Sequence, residues 1–230
     1  MLIGFPVPGK AKSAMLVDAF IAGAPRAAIG SVFFGVKEGN VGDWRRVLHK
    51  GGDWYFLDNA YFDKSRGTMF RVTKNALQHT GIGETDGLRF DRLGIPIRPM
   101  DFNRPGGVLV VEQSLDHMHY VLNDPRGLHH LLVGISPSVQ TWRYWTANKP
   151  KAQTTLAEAL RGARMLITHT SAAAVEATLA GVPVRCDLRC AAHPEHWAEQ
   201  GRLQWAGVLA DNQFTLNELK DGTAWRKLNP

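Results

Sequence analysis

A short run of the sequence, from Arg164 to Arg185, carries the side chains best suited to bind phosphate and sugar. An apolar stretch ends at His169-Thr170-Ser171, and a helical pattern of small residues follows it. Hydroxyl groups and free backbone N–H groups at the start of a helix bind phosphate. Glu176 is the one charge in that apolar helix, and a carboxylate there accepts hydrogen bonds from sugar hydroxyls. The alternative is an ordinary crossover helix with a solvated Glu176.

The elements that position these residues follow from the same run. The pattern predicts a strand, a tight turn, a helix that ends at Gly181, and a second strand that starts at Val182. Ala172 and the two alanines after it are small, which lets a ligand come close to the helix. This order is a βαβ unit, and a fold of this kind does not by itself supply a function.

The run also matches a family pattern at six positions. The pattern is S-x-x-x-x-E-A-x-x-x-G-x-P-V, and it is met by Ser171, Glu176, Ala177, Gly181, Pro183 and Val184. The segment resembles the donor-binding half of GT-B-type glycosyltransferases and of the related nucleotide-sugar 2-epimerases. The resemblance implies that the turn binds a nucleotide diphosphate and that Glu176 binds the ribose. Many members have a glycine-rich turn where this chain has His169-Thr170-Ser171-Ala172.

Polar side chains also follow the other predicted strands of the second half. The positions at these strand ends are Gln113, Ser114, Arg143, Lys149, His169, Thr170 and Ser171. Ligands of open α/β sheets bind beyond the carboxyl ends of the strands. Basic and hydroxyl groups that converge there suit a diphosphate leaving group, on which charge develops as the glycosidic bond breaks. We therefore expect these residues and Ala172 and Glu176 to bind a nucleotide-sugar donor.

The first half offers a candidate site for the acceptor of the sugar. A predicted strand ends at Asp58, and a carboxylate at that place is a candidate general base for an acceptor hydroxyl. His79 is a second candidate base. The predicted acceptor-binding residues around them are Asn59, Tyr61, Phe62 and Arg71. The alternative is an Asx-turn after a strand, with Tyr61 and Phe62 in the core.

Composition and charge limit the classes of partner. The net charge is +6 and the pI is about 9.5, which favours a phosphorylated or polyanionic partner such as DNA. The basic residues are scattered, so no Lys/Arg run marks a nucleic-acid patch. No run approaches the ~20 apolar residues of a membrane helix, and the N-terminus lacks a signal-peptide pattern. These features predict a cytoplasmic protein.

No metal or cofactor is predicted, and a nucleotide-sugar would be a substrate. Cys186 and Cys190 have His193 nearby, but a fourth ligand is lacking, so two reduced thiols are the preferred interpretation. A second group of histidines has spacings that do not share one helix face: His117, His119, His129 and His130. P-loop, nucleophile-elbow and zincin motifs are absent from the sequence.

A break rich in proline and glycine divides the chain. The predicted ranges are an acceptor-side α/β half at 1–94, a linker at 95–107, a donor-binding α/β half at 108–193 and C-terminal helices at 194–230. Strands alternate with helices on both sides of the break. The sequence therefore predicts an α/β fold of two facing Rossmann-like, GT-B-like halves, with C-terminal helices that pack back across the junction.

The leading hypothesis is a compact glycosyltransferase that moves a sugar from a nucleotide-sugar to a polysaccharide, a protein or a modified base in DNA. The compact, basic chain also resembles small bacteriophage-type transferases that decorate DNA bases. One alternative is a non-catalytic nucleotide or nucleic-acid binding protein that keeps the donor fold. A second alternative is a nucleotide-sugar epimerase or hydrolase.

Overall fold

A computed structural model describes residues 1–62, 67–113, 117–122, 129–134, 139–143 and 155–230 of the chain. Ser114 and Lys149 lie outside these ranges, and Arg143 is described by its backbone alone. The described contacts divide the chain into two compact units. The first unit contains Met1–His79 and Leu209–Pro230, and the second contains Thr80–Val208.

The regular elements alternate between strand and helix. The strands in chain order are β1 Leu2–Phe5, β2 Gly30–Phe34, β3 Trp54–Asn59, β4 Met69–Lys74, β5 Gly107–Glu112, β6 Val139–Arg143, β7 Ala163–Thr168, β8 Val184–Arg185 and β9 Gln213–Thr215. The helices are α1 Ala11–Gly23, α2 Val41–Lys50, α3 Leu88–Asp91, α4 Leu156–Arg161, α5 Ala173–Leu179, α6 Arg202–Asp211, α7 Leu216–Lys220 and α8 Thr223–Leu228. Short π and 3-10 turns occur at His117–Leu122, His129–Leu131 and Pro194–His196.

The first unit is built on a mixed five-stranded sheet in the order β1-β2-β3-β4-β9. The βαβαβ order that the sequence predicts for its first part is confirmed, and β1, β2 and β3 are parallel. Buried apolar side chains of α1 cover this sheet because Leu16, Val17 and Phe20 recur on one face of the helix. The core also includes Tyr55 and Leu57 of β3.

Two antiparallel strands complete this sheet, and neither is predicted from the sequence. β4 pairs with β3, and β9 pairs with β4 with Phe70 opposite Phe214. The C-terminal residues were expected to form two helices, which is wrong in this detail because β9 lies between α6 and α7. Phe214, Leu219 and Ala224 are buried in the core of the first unit. The C-terminal segment is thus an integral part of that unit.

The second unit contains a four-stranded sheet in the order β6-β5-β7-β8, and every described pairing in it is parallel. β5 and β7 read as apolar runs, as expected for strands that are buried on both faces. α4 begins with a reciprocal capping box between Thr155 and Glu158. The mixed α/β, Rossmann-like character that the sequence predicts is confirmed, and the facing arrangement of two halves stays a prediction.

The predicted linker at 95–107 belongs to the second unit. Its backbone follows the end of α5, where the Arg98 N–H donates to the Leu179 carbonyl at 2.8 Å and the Asp101 N–H donates to the Gly181 carbonyl at 3.1 Å. Gly181 has φ +73°, and a Cβ atom there would lie 2.1 Å from the Pro99 carbonyl oxygen. Glycine is therefore required where this segment crosses the helix end. Among the described residues, no helix has the length and apolar character needed to cross a membrane.

Candidate functional site

Two of the polar residues predicted for donor binding meet at the carboxyl edge of the parallel sheet in the second unit. Gln113 follows β5 and Thr170 follows β7. The Gln113 side-chain amide donates to the Thr170 hydroxyl oxygen at 2.9 Å, and Nε2 of His117 lies 3.2 Å from the same oxygen. The structure therefore brings Gln113 and Thr170 together as predicted and adds His117, which was not predicted to contact them. This edge is where parallel α/β sheets bind ligands.

Helix α5 presents one partly open face beside this cluster. Ala173, Ala174, Val175 and most of the later residues of α5 are buried. Ala172, Glu176 and Ala180 are half-buried and recur every four residues, so they share the open face. The Ser171 hydroxyl accepts a hydrogen bond from the Ala173 N–H at 3.2 Å, which holds the turn before the helix. A small ligand on this face would meet the Glu176 carboxylate.

Three further side chains form a charged group at the same sheet edge. His169 is fully buried at the end of β7, and Asp187 and Arg189 follow β8. The Arg189 guanidinium donates from Nε to Oδ1 of Asp187 at 2.8 Å, and its Nη2 lies 3.4 Å from Nε2 of His169. Partial burial acts to raise the pKa of Asp187, but hydrogen bonds from the Arg189 side chain and backbone outweigh it and lower the pKa to about 2. Asp187 is thus ionised at neutral pH and orients Arg189.

Sequence reasoning missed Asp187, Arg189 and the contact of His117. Asp187 and Arg189 could have been predicted, because they are polar residues that follow a strand, like the donor residues predicted at the other strands. β8 contains only Val184 and Arg185, and the end of so short a strand is difficult to locate from the sequence. Of the other predicted donor residues, Ser114, Lys149 and the side chain of Arg143 lie outside what the structure describes.

In the first unit, Asp58 lies at the carboxyl end of β3 and is ion-paired with Arg71 across the β3–β4 pairing. Nη2 of Arg71 lies 2.5 Å from Oδ2 of Asp58, and Oδ1 of Asp58 accepts a hydrogen bond from the Asn59 N–H at 2.7 Å. The Asn59 side chain in turn accepts from Nζ of Lys12 at 3.0 Å. Asp58 and Asn59 are therefore close together, as predicted, but the Asp58 carboxylate also neutralises a buried arginine.

The aromatic residues predicted to bind an acceptor are buried in the first unit. Tyr61 is 1% exposed and Phe62 is 2% exposed, so their rings pack inside the protein and present no open face for stacking. Arg71 lies 4.9 Å from the centre of the Tyr61 ring and is 4% exposed. The backbone N–H of His79 donates to the Tyr61 hydroxyl at 2.8 Å. These contacts favour the core interpretation for Tyr61 and Phe62.

The two cysteines are buried free thiols. The hydrogen bond with Cys190 and then burial raise the pKa of the Cys186 thiol, which keeps it protonated. Within the described ranges, Cys186, Cys190 and His193 do not form a three-residue group with ligand atoms close enough to share a metal ion. His130, His169 and Asp187 do form such a group, in which one ligand atom from each residue lies within 4.8 Å of the other two.

The buried side chain of His196 predicts that the stability of the protein depends on pH. Burial lowers the pKa of His196. The hydrogen bond with the Leu188 carbonyl acts to raise this pKa but is outweighed by the burial. Of the two charged neighbours, His193 lowers the pKa and Glu195 raises it. Because the unfolded chain binds a proton more readily, the free energy of unfolding should fall as pH drops below about 6.5. We expect His196→Gln to reduce this fall between pH 7.5 and 5.5, measured by urea denaturation.

The matched control is His49→Gln, since His49 is exposed on α2. This variant should show the same pH dependence as the wild type. An unchanged pH dependence in His196→Gln would show that other groups cause the loss of stability in acid.

Comparisons with known proteins give a fold-level likeness. Neither a protein-family model nor a curated protein matches the chain. Among solved structures, the chain is similar to KpsC of Thermosulfurimonas dismutans, a beta Kdo 2,7 transferase, with a TM-score of 0.53 and 12% sequence identity. The match covers 98% of this chain and 99% of that chain. The chain therefore has a glycosyltransferase-like fold.

Proposed function

We propose that this protein is a glycosyltransferase that takes a sugar from a nucleotide-sugar donor bound at the carboxyl edge of the second unit's sheet. The observation that carries the proposal is the joining of Gln113, His117 and Thr170 beside the partly open face of α5. β7 and α5 of this site belong to the run that the GT-B resemblance assigns to the donor. The glycosyltransferase-like fold of the whole chain supports the same class of reaction.

The site offers the interactions that transfer from such a donor requires. Negative charge builds up on the phosphate as the bond to the sugar breaks, and preorganised donors stabilise it. The half-exposed Arg189 guanidinium is suited to that task, and the buried Thr170 and Ser171 hydroxyls would hold the turn beneath the phosphate. Glu176 would accept hydrogen bonds from the ribose hydroxyls. His169 is fully buried and would position the turn rather than touch the nucleotide.

On the acceptor side, Asp58 is the proposed general base and His79 is the next candidate. The acceptor classes that the hypothesis allows are a polysaccharide, a protein and a modified base in DNA, and the basic pI suits an anionic acceptor. The likeness to a Kdo transferase adds a Kdo donor to the compounds to be tested.

The test of the donor site is a binding panel in calorimetry at low salt. The ligands are UDP, GDP, CMP and ADP, their sugar derivatives, nucleotide-activated Kdo and the corresponding free sugars. We expect one nucleotide series to bind, the free sugars to bind more weakly, and affinity to fall with added salt, because exposed charges are screened. Failure of every nucleotide to bind would contradict the proposal.

Glu176→Ala is expected to weaken the affinity for the nucleotide that the panel identifies by roughly 10–100-fold. A hydrogen bond to a charged group contributes about 1.5–3 kcal/mol, and each 1.4 kcal/mol is about tenfold in affinity. Because Glu176 lies on the half-open face of α5, the melting temperature should change little.

Glu199→Ala is the matched control, since Glu199 is an exposed carboxylate of the same unit. It should bind nucleotide as the wild type does. Equal affinity in both variants would remove Glu176 from the site. Nucleotide binding without transfer to any acceptor would favour a binding protein, and steady release of free sugar or of an epimer would favour the hydrolase or epimerase hypothesis.

A further inference from the structure

We propose that His130, His169 and Asp187 bind a divalent transition-metal ion of the zinc type. One ligand atom from each residue lies within 4.8 Å of the other two. The three residues come from separate segments: the turn at His129–Leu131, the end of β7, and the loop after β8. A set of two imidazoles and one carboxylate that the fold brings together from distant parts of the chain is a metal-binding donor set.

Two of the three proposed ligands, His169 and Asp187, already lie beside a cation, the Arg189 guanidinium. Oδ2 of Asp187 lies 3.8 Å from Nε2 of His169, and Nη2 of Arg189 contacts both atoms, at 3.2 Å and 3.4 Å. A guanidinium only donates hydrogen bonds, so its contact with Nε2 of His169 is a hydrogen bond in the tautomer whose Nε2 carries the lone pair. A metal ion bound through Nε2 of His169 and Oδ2 of Asp187 would need that same lone pair and the same carboxylate oxygen.

Hydrogen bonds outside the ligand set hold the three ligands in place. The Asp187 N–H donates to the His169 carbonyl at 3.0 Å. Nη1 of Arg185 donates to the carbonyls of Leu131 at 3.2 Å and Val133 at 3.0 Å, which ties the turn that carries His130 to the end of β8. Outer contacts of this kind orient metal ligands.

The required movement is small. Ligand atoms about 2.1 Å from a tetrahedral ion lie roughly 3.4 Å apart, so atoms that now lie within 4.8 Å of one another must close by at most about 1.4 Å. His130 is exposed and can supply this by rotation, and the half-exposed Arg189 can turn into solvent. Two nitrogens and one oxygen select zinc, cobalt or nickel over magnesium or calcium. Three protein ligands leave one position for a water or substrate oxygen.

Because Arg189 and the metal compete for the same two atoms, the proposal predicts opposite effects of two substitutions. His130→Ala removes an exposed ligand and should weaken metal affinity by at least about tenfold, since even the loss of an outer contact costs that much. Arg189→Gln removes the competing cation and should raise metal affinity. The exposed His49→Ala in the first unit is the matched control and should change nothing.

The experiment uses untagged full-length protein, Co²⁺ titration followed by visible absorption, and equilibrium dialysis with Zn²⁺. We expect one equivalent of metal, a cobalt spectrum without a thiolate charge-transfer band, and the two opposite shifts. Circular dichroism checks that each variant is folded. This readout needs no sugar donor, so it is independent of the transferase proposal.

Three results would overturn the metal site. The first is no saturable binding of either ion to the wild type. The second is wild-type affinity in the folded His130→Ala variant. The third is a thiolate band, which would move the ion to Cys186 and Cys190.

Discussion

Asp58→Asn is expected to lower the rate of sugar transfer by ~10²–10⁴-fold, which is the usual contribution of a general base. Asparagine keeps the size of the side chain and an oxygen that can accept from Arg71, but it cannot take a proton from an acceptor hydroxyl. Donor affinity should be unchanged, because Asp58 belongs to the first unit and the proposed donor site to the second. The measurement is nucleotide release from the bound donor, with and without added acceptor, beside calorimetric binding of the nucleotide.

The ion pair with Arg71 gives Asp58 a competing structural role that the same experiment separates. Removing one partner of a buried ion pair costs about 3–5 kcal/mol, and the one-third exposure of the Asp58 side chain places Asp58→Ala at the lower end of that range. Asp58→Asn should remain folded. Asp43→Asn is the matched control, because Asp43 is ion-paired with Arg46 on the exposed surface of the same unit. An Asp58→Asn variant that is folded and transfers at the wild-type rate would make His79 the candidate base.

Local patterns in the sequence were sufficient to predict most of the fold. Strands such as β2 and β5 are mostly apolar, and α4 carries its own start signal at Thr155 and Glu158, so each is specified by neighbouring residues. β9 was not predicted because its pairing with β4 joins residues that are far apart in the chain. Met69 lies opposite Thr215, and β9 is only three residues long. No local pattern encodes such a contact.

The candidate sites also contain some residues whose contacts could be predicted from the sequence and others whose contacts could not. Thr170 and Gln113 follow strands, and adjacent parallel strands end at one edge, so their contact could be expected from the sequence. The sequence left the burial of Tyr61 and Phe62 open as an alternative, because the contacts that decide it include a residue of the C-terminal segment. The Phe62 N–H donates to the side-chain oxygen of Gln213 in β9 at 2.9 Å. A site residue whose surroundings come from a distant segment can be assigned only once the fold is known.

Trp205→Ala should cost about 3–5 kcal/mol of unfolding free energy, the range for deleting a large aromatic side chain from a core. Trp205 is fully buried in α6, and its indole N–H donates to the Ala191 carbonyl at 2.8 Å. Gly81 packs directly on the ring, where a Cβ atom would lie 2.3 Å from Cδ1. Gly81 has no side chain to move into the space left by the indole, so we expect a cavity to remain.

The same substitution should also weaken nucleotide binding, because Ala191 belongs to the loop that carries Arg189. The measurements are urea denaturation and calorimetry with the nucleotide from the binding panel. Leu203→Ala is the matched control: Leu203 lies in the same helix but is exposed, and a surface change of this kind alters stability by about 0.5 kcal/mol or less. Trp205→Phe retains most of the apolar ring and loses the hydrogen bond, so it should fall between the two. Equal stability of Trp205→Ala and Leu203→Ala would show that α6 does not support the loop. Lost stability with unchanged nucleotide affinity would place Arg189 outside the donor site.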